Sequence, residues 1–105
     1  MTLAETLLSV WQQVLVEDRS EVRLGDRTYR VTRTRNQRLR AVGFSVGEDR
    51  LEGIEQNPET GSRWAKLAQT GQRIMQFSYR GKYVGNVCEG KFVRYPAWNS
   101  LGLPE

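Results

Sequence analysis

Beyond Glu21 the sequence falls into short tracts in which apolar and polar residues alternate with a period of two, broken at hairpin-length connections. "EVRLGDRTYRV" breaks at Gly25-Asp26, and "RIMQFSYRGKYVGNVCEGKFVRY" breaks at Arg80-Gly81 and Glu89-Gly90. Period-two alternation sends successive side chains to opposite faces of a strand, and short glycine-bearing connections join antiparallel neighbours. The chain is thereby directed towards antiparallel sheets made of consecutive hairpins. Val42, Phe44 and Val46 share one face of "RLRAVGFSV", and Met75, Phe77, Tyr83, Val87 and Phe92 are core candidates of the final meander. Leu51 and Ile54 have opposite parity, so the strand around Leu51 to Gln56 needs a bulge or burial on both faces.

Two helices interrupt this pattern. Thr2 and Glu5 form a capping box ahead of Leu3, Leu7, Val10, Trp11 and Val14 at helical spacing, which predicts a helix from about residue 3 to 17. Leu8 and Leu15 widen its apolar face into a broad stripe, as in a helix packed on a core. A second, short helix is expected through "RWAKLAQT", capped by Thr60 or Ser62 and ended by Gly71. The fold class that follows is α+β. A mainly antiparallel sheet of six to seven strands in meander hairpins carries the N-terminal helix and the short second helix. With 105 residues the chain fits one such domain, over residues 1–96. Residues 97–105 form a tail, and its Trp98, Leu101 and Leu103 are expected to pack back.

Composition excludes several chemistries. The chain has no histidine and one cysteine, so zinc, haem and histidine-based copper constellations have no ligand set, and an intrachain disulfide has no second thiol. No EF-hand pattern is present, and no cofactor or metal is expected. Cys88 sits mid-strand and reads as a small core residue. Glu48, Asp49, Glu52 and Glu55 leave a carboxylate-dependent enzyme as the third-ranked reading. Paired catalytic carboxyls stand roughly 5–9.5 Å apart across a substrate cleft, for which a domain of this size has little room. Gly61, Ser62 and Arg63 offer a candidate anion site at the start of the second helix, although neither P-loop nor Rossmann spacing occurs and capping explains the same residues. The N-terminus lacks the charged region and cleavage site of a secretory signal. The longest apolar runs, such as Val14-Leu15-Val16, fall far short of the roughly 20 residues that span a bilayer. A cytoplasmic location without membrane insertion is expected.

Charge is unevenly placed. Net charge is −3 over residues 1–18, +6 over 19–40, −4 over 41–59 and +5 over 60–105. The basic segment centres on "YRVTRTRNQRLRAVGF", with five arginines in sixteen positions and no acid. A two-residue turn at Asn36-Gln37 would oppose Tyr29 to Phe44, Val31 to Val42, Arg33 to Arg40 and Arg35 to Arg38, all on one face. This register keeps the apolar residues together. Its apolar base would join the core, and Arg33, Arg35, Arg38 and Arg40 would form a tip. Facing like charges weaken a ladder, so either an external anion meets the tip or acids of the chain fold onto it, from Glu48, Asp49, Glu52 and Glu55 or from Glu17 and Asp18.

Finally, "GIEQNPETGSRWAKLAQTGQRIMQF" followed by "GKYVGNVCEGKFVRYP", roughly residues 51–96, resembles a family of small uncharacterised proteins of cyanobacteria. That family has no established activity, so the resemblance implies no site residue. It does imply a photosynthetic bacterial cytoplasm or thylakoid face. The functional reading is a non-enzymatic accessory or assembly protein that docks an acidic protein surface through the arginine tip. Arginine forms 13 of the 16 basic residues, and its planar fork matches carboxylate or phosphate. Nucleic-acid binding, RNA or DNA, by the same hairpin is the alternative. The oligomeric state is left open by the sequence.

Overall fold

The computed structural model describes residues 2–35, 38–56, 74–88 and 90–104. Its first element starts at the predicted cap. Thr2 Oγ1 accepts the Glu5 amide hydrogen at 3.1 Å, and the Glu5 carboxylate accepts from the Thr2 amide at 3.1 Å and from the Thr2 hydroxyl at 2.9 Å. Orphan donors at the start of α1 (Leu3–Trp11) are thus satisfied reciprocally. Leu3, Leu7 and Val10 line its buried face. After Trp11 the helix widens into a π-helical turn, Gln12–Val16, closed by the Glu17 amide on the Gln12 carbonyl at 2.9 Å. Gln13, Val14 and Leu15 are consecutively buried there. The Gln13 side-chain amide lies against Arg23, donating to its carbonyl at 3.0 Å and accepting its N–H at 2.8 Å. That pair imitates a backbone bridge and ties the helix to the first strand.

β1 (Glu21–Leu24) and β2 (Arg27–Arg30) form a two-stranded hairpin about Gly25-Asp26, with Val22 opposite Tyr29 and Leu24 opposite Arg27. Gly25 has φ of 63°, the left-handed conformation that such a turn requires. A six-stranded sheet follows in the order β3 (Thr32–Arg33), β4 (Arg40–Val46), β5 (Asp49–Glu55), β6 (Met75–Tyr79), β7 (Lys82–Cys88) and β8 (Lys91–Arg94). Each strand pairs antiparallel with its sequence neighbour. The chain then turns into α2 (Pro96–Ser100). The fold is α+β with a mainly antiparallel sheet. The helix expected at "RWAKLAQT" lies outside the described residues.

α1 lies against β7 and β8, and α2 lies against β7. One core cluster joins the leucines and valines of the helical segment to Val42, Phe44, Leu51, Met75, Phe77, Val87 and Trp98. At its centre Phe77 sits between glycines, opposite Gly53 on β5 and Gly85 on β7. A Cβ at Gly53 would come within 2.8 Å of the Phe77 ring, and one at Gly85 within 2.6 Å of the Phe92 ring and 2.7 Å of the Val93 carbonyl. Both positions therefore require a missing side chain. The room at Gly53 accommodates the Phe77 ring, which meets Phe44 edge-on with centroids 6.1 Å apart at 84°, while the room at Gly85 accommodates Phe92. The tail packs back as expected, with Trp98 fully buried beside Phe92 and Leu103 buried.

Two sequence expectations require correction. Tyr83 is 49% exposed rather than core. Phe77 faces Gly85 but Ser78 faces Tyr83, so Val84 is an extra, bulged residue that flips Tyr83 to the outer face and takes its place inside. The strand predicted to run through "TYRVTRTR" also breaks at Val31. Tyr29 pairs with Val22 instead of Phe44, and the Val31 amide bonds the Ser20 carbonyl at 2.9 Å. Pairing with β1 draws the base of the arginine hairpin away from β4, although the Tyr29 hydroxyl still reaches the Ser45 carbonyl at 3.3 Å. Leu51 and Ile54 lie on opposite faces of an unbulged β5, Leu51 buried and Ile54 half-buried. No helix among the described residues is long and apolar enough to cross a membrane.

Candidate docking surface at the arginine hairpin

Arg33 opposes Arg40 across β3 and β4, in the register the apolar pattern favours. The two side chains then diverge in fate. Arg40 is buried, 8% exposed, and every nitrogen of its guanidinium is engaged within the chain. Nε and Nη2 grip the two Glu55 oxygens at 3.3 and 3.0 Å, while Nη1 donates to Asp18 Oδ1 at 2.6 Å and to the Val14 carbonyl at 2.9 Å. The Arg40 backbone amide adds a further bond to Glu55 Oε1 at 3.1 Å.

The local fold explains why these partners meet. The β4–β5 register sets Ala41 opposite Ile54, which brings Glu55 across from Arg40. Asp18, at φ of 53°, takes the chain out of the π-helical turn and towards β4. The Val14 carbonyl belongs to the end of the helical segment, where acceptors lack intrahelical donors and a cation is favoured. The Glu55 hydrogen bond is the largest influence holding the Arg40 pKa above the ordinary arginine range. Burial opposes it, and the charges of Glu55 and Asp18 reinforce it. Arg40 therefore belongs to the interior of the fold, which corrects its expected place in an exposed four-arginine tip.

The expected Asn36-Gln37 turn lies outside the described residues, but the bonds flanking it are defined. Thr34 N–H donates to the Leu39 carbonyl at 2.7 Å, the Arg38 amide donates to the Thr34 carbonyl at 3.1 Å, and Leu39 N–H donates to Thr34 Oγ1 at 2.9 Å. These bonds close the described end of the hairpin at Thr34 and Leu39, with Arg38 at φ of 53°. Arg35 and Arg38 become connection residues in place of a cross-strand pair; Asn36 and Gln37 lie outside the described residues.

Arg33, Arg35 and Arg38 are exposed. Arg33 Nη1 donates to the Arg38 carbonyl at 3.0 Å, fixing one guanidinium against the end of the hairpin. Among the described residues no carboxylate lies within ion-pairing distance of any of the three, whereas Arg19 and Arg40 do meet acids there. Of the acids considered as internal counter-charges, Glu55 and Asp18 meet Arg40, Glu17 meets Arg19, and Asp49 accepts the Tyr79 hydroxyl at 3.0 Å. Asp18, Ser20, Val31, Arg33 and Arg40 border a hollow of about 240 Å³ on the hairpin's flank. Val16, 52% exposed, lies two residues beyond the carbonyl that Arg40 holds.

Gly61, Ser62 and Arg63 lie outside the described residues. Among the described residues no group of three His, Cys, Asp or Glu is placed to hold a metal ion, and Cys88 is half-buried on β7. Parity could have identified Arg40 from the sequence, because it shares the inward face of Val42, Phe44 and Val46, and a charge on that face requires a partner. Comparison with protein-family models, with the curated proteins and with the solved structures finds no match.

Proposed function

We propose that this protein is a non-enzymatic accessory module that docks an acidic protein surface through Arg33, Arg35 and Arg38, braced from within by Arg40. The observation that carries this reading is the division of the arginines. One is neutralised by the chain's own acids, and three at the end of the same hairpin have no carboxylate beside them among the described residues. Free guanidinium forks form bidentate, charge-assisted bonds to carboxylates, and a clustered positive patch steers association with a negative one. Single-stranded nucleic acid is the weaker match, since its readers interleave aromatic platforms with basic residues. Exposed Tyr83 sits on β7, four strand spacings or about 19 Å from β3, and Tyr29 is half-buried with its hydroxyl on Ser45. A cytoplasmic setting, the one implied by the cyanobacterial resemblance, accords with this role.

The test is fluorescence anisotropy with a glutamate-rich peptide and a single-stranded oligonucleotide of equal charge, across a salt series. The peptide should bind, and the triple variant Arg33→Ser/Arg35→Ser/Arg38→Ser should lose roughly tenfold or more in affinity, as expected on removal of charge-assisted bonds. Its melting temperature should stay unchanged, because all three side chains are exposed. Peptide binding that survives the triple change would overturn the assignment. Tighter oligonucleotide binding with a steep salt slope would transfer the site to nucleic acid.

A further inference from the structure

A second feature is independent of the hairpin. Between α1, the β1–β2 turn and the β4–β5 turn lies a cleft of about 420 Å³, within the size range of small-molecule sites. Its walls combine an apolar surface with a one-signed polar one. Leu24 and Val46 are half-buried and pack on the edge of the core. The Tyr29 ring stands beside them, anchored through its hydroxyl to Ser45. Thr6 donates its hydroxyl to the Thr2 carbonyl at 3.0 Å, which leaves its methyl as the group it can offer a ligand.

The polar wall consists of donors. Arg27 lines the cleft on the same face of the hairpin as Leu24 and Tyr29, is exposed, and meets no carboxylate among the described residues, while Arg23, paired with Thr28, carries its side chain on the opposite face. Ser9 Oγ accepts from Gln13 Nε2 at 3.1 Å, so the serine hydroxyl retains its own proton to donate. Among the described residues no acidic side chain lines the space. The wall is also held in place, because the same Gln13 amide clamps both backbone groups of Arg23 and fixes β1 relative to Ser9 before any ligand arrives.

We propose that this cleft binds a small amphipathic monoanion, a carboxylate carried on a short apolar body. The body lies against Leu24, Val46 and the Tyr29 ring, and the carboxylate meets Arg27 and the Ser9 hydroxyl. An uncharged analogue would forgo the charge-assisted bonds, and a bare anion would forgo the apolar contact. Both parts are therefore needed for affinity.

The experiment is a titration followed by amide chemical shifts, with octanoate, acetate, inorganic phosphate and octanol as separate probes. Octanoate should bind with shifts concentrated at Ser9, Arg23, Arg27, Tyr29 and Val46. Acetate, phosphate and octanol should each bind roughly tenfold more weakly or worse, in line with the loss of one half of the contacts. The variant Arg27→Gln should weaken octanoate by a similar factor at unchanged melting temperature. The hairpin variant Arg33→Ser/Arg35→Ser/Arg38→Ser should bind octanoate like the natural chain, which separates this site from the docking surface. Failure of octanoate to bind at millimolar concentration, shifts centred elsewhere, or equal binding of acetate or phosphate would each overturn the proposal.

Discussion

Loss of Arg40 would act on stability rather than on recognition. Arg40→Ala removes the guanidinium that Glu55, its side chain 21% exposed, grips with both oxygens, and leaves the Val14 carbonyl without that donor. Breaking a buried pair from one side costs about 3–5 kcal/mol. The two acids should differ, because Asp18 is 77% exposed and an exposed ion pair contributes less than about 1 kcal/mol. Urea unfolding at constant pH should show Glu55→Gln clearly more destabilising than Asp18→Asn, asparagine being tolerant of the positive φ at that position. Equal losses would mean that the exposed Asp18 contact contributes as much as the Glu55 pair. At this scale the sequence was readable where one residue type admits one explanation, as with Thr2 and Glu5 or the glycine of the β1–β2 turn. Arg40 was misplaced because a run of like residues invites a shared role, whereas parity alone separates the buried one from its exposed neighbours.

Among the elements, α1 carries a pH dependence with a definite sign. The Thr2 amide, first, and then the Thr2 hydroxyl lower the Glu5 pKa below its ordinary 4.5. A depressed carboxylate contributes stability that is complete above its unfolded value and is lost as pH falls through its folded value. Circular dichroism at the helix band, followed from about pH 5 down to about pH 2, should show a loss of helix signal that Glu5→Gln reduces, since glutamine cannot lose a charge. An identical acid limb in both proteins would remove the capping box as its source. Helix α1, the β1–β2 turn and the inward faces of β4 and β6 were all legible, because caps, turn residues and period-two alternation are local properties. The π-helical turn, the Val84 bulge and the break at Val31 were not. Each is a one-residue adjustment imposed by what the element packs against, and such adjustments leave the surrounding composition unchanged.

For the molecule as a whole, antiparallel architecture was readable from hairpin spacing, while the split into a two-stranded and a six-stranded sheet depended on which neighbour β2 pairs with. The single-file strand order has a kinetic consequence. Except for β5–β6, where the chain runs from Glu55 to Met75 between the strands, each neighbouring strand pair closes a short stretch of chain, whereas α1, at one end, rests on β7 and β8 near the other. Loop-closure entropy grows as about (3/2)RT ln n with the length n of the loop, so contacts between distant parts of the chain are the expensive ones to form early. The β6–β7–β8 meander around Phe77, closed by two short connections, should form the folding nucleus, and the helix should dock after the rate-limiting step. In a chevron analysis Leu7→Ala should then speed unfolding with little effect on the folding rate, while Phe77→Leu should slow folding. The reverse pattern would place the helix in the nucleus. With the helix arriving last, its departure is the first step of unfolding, and the lifetime of the folded molecule is set where its two ends meet.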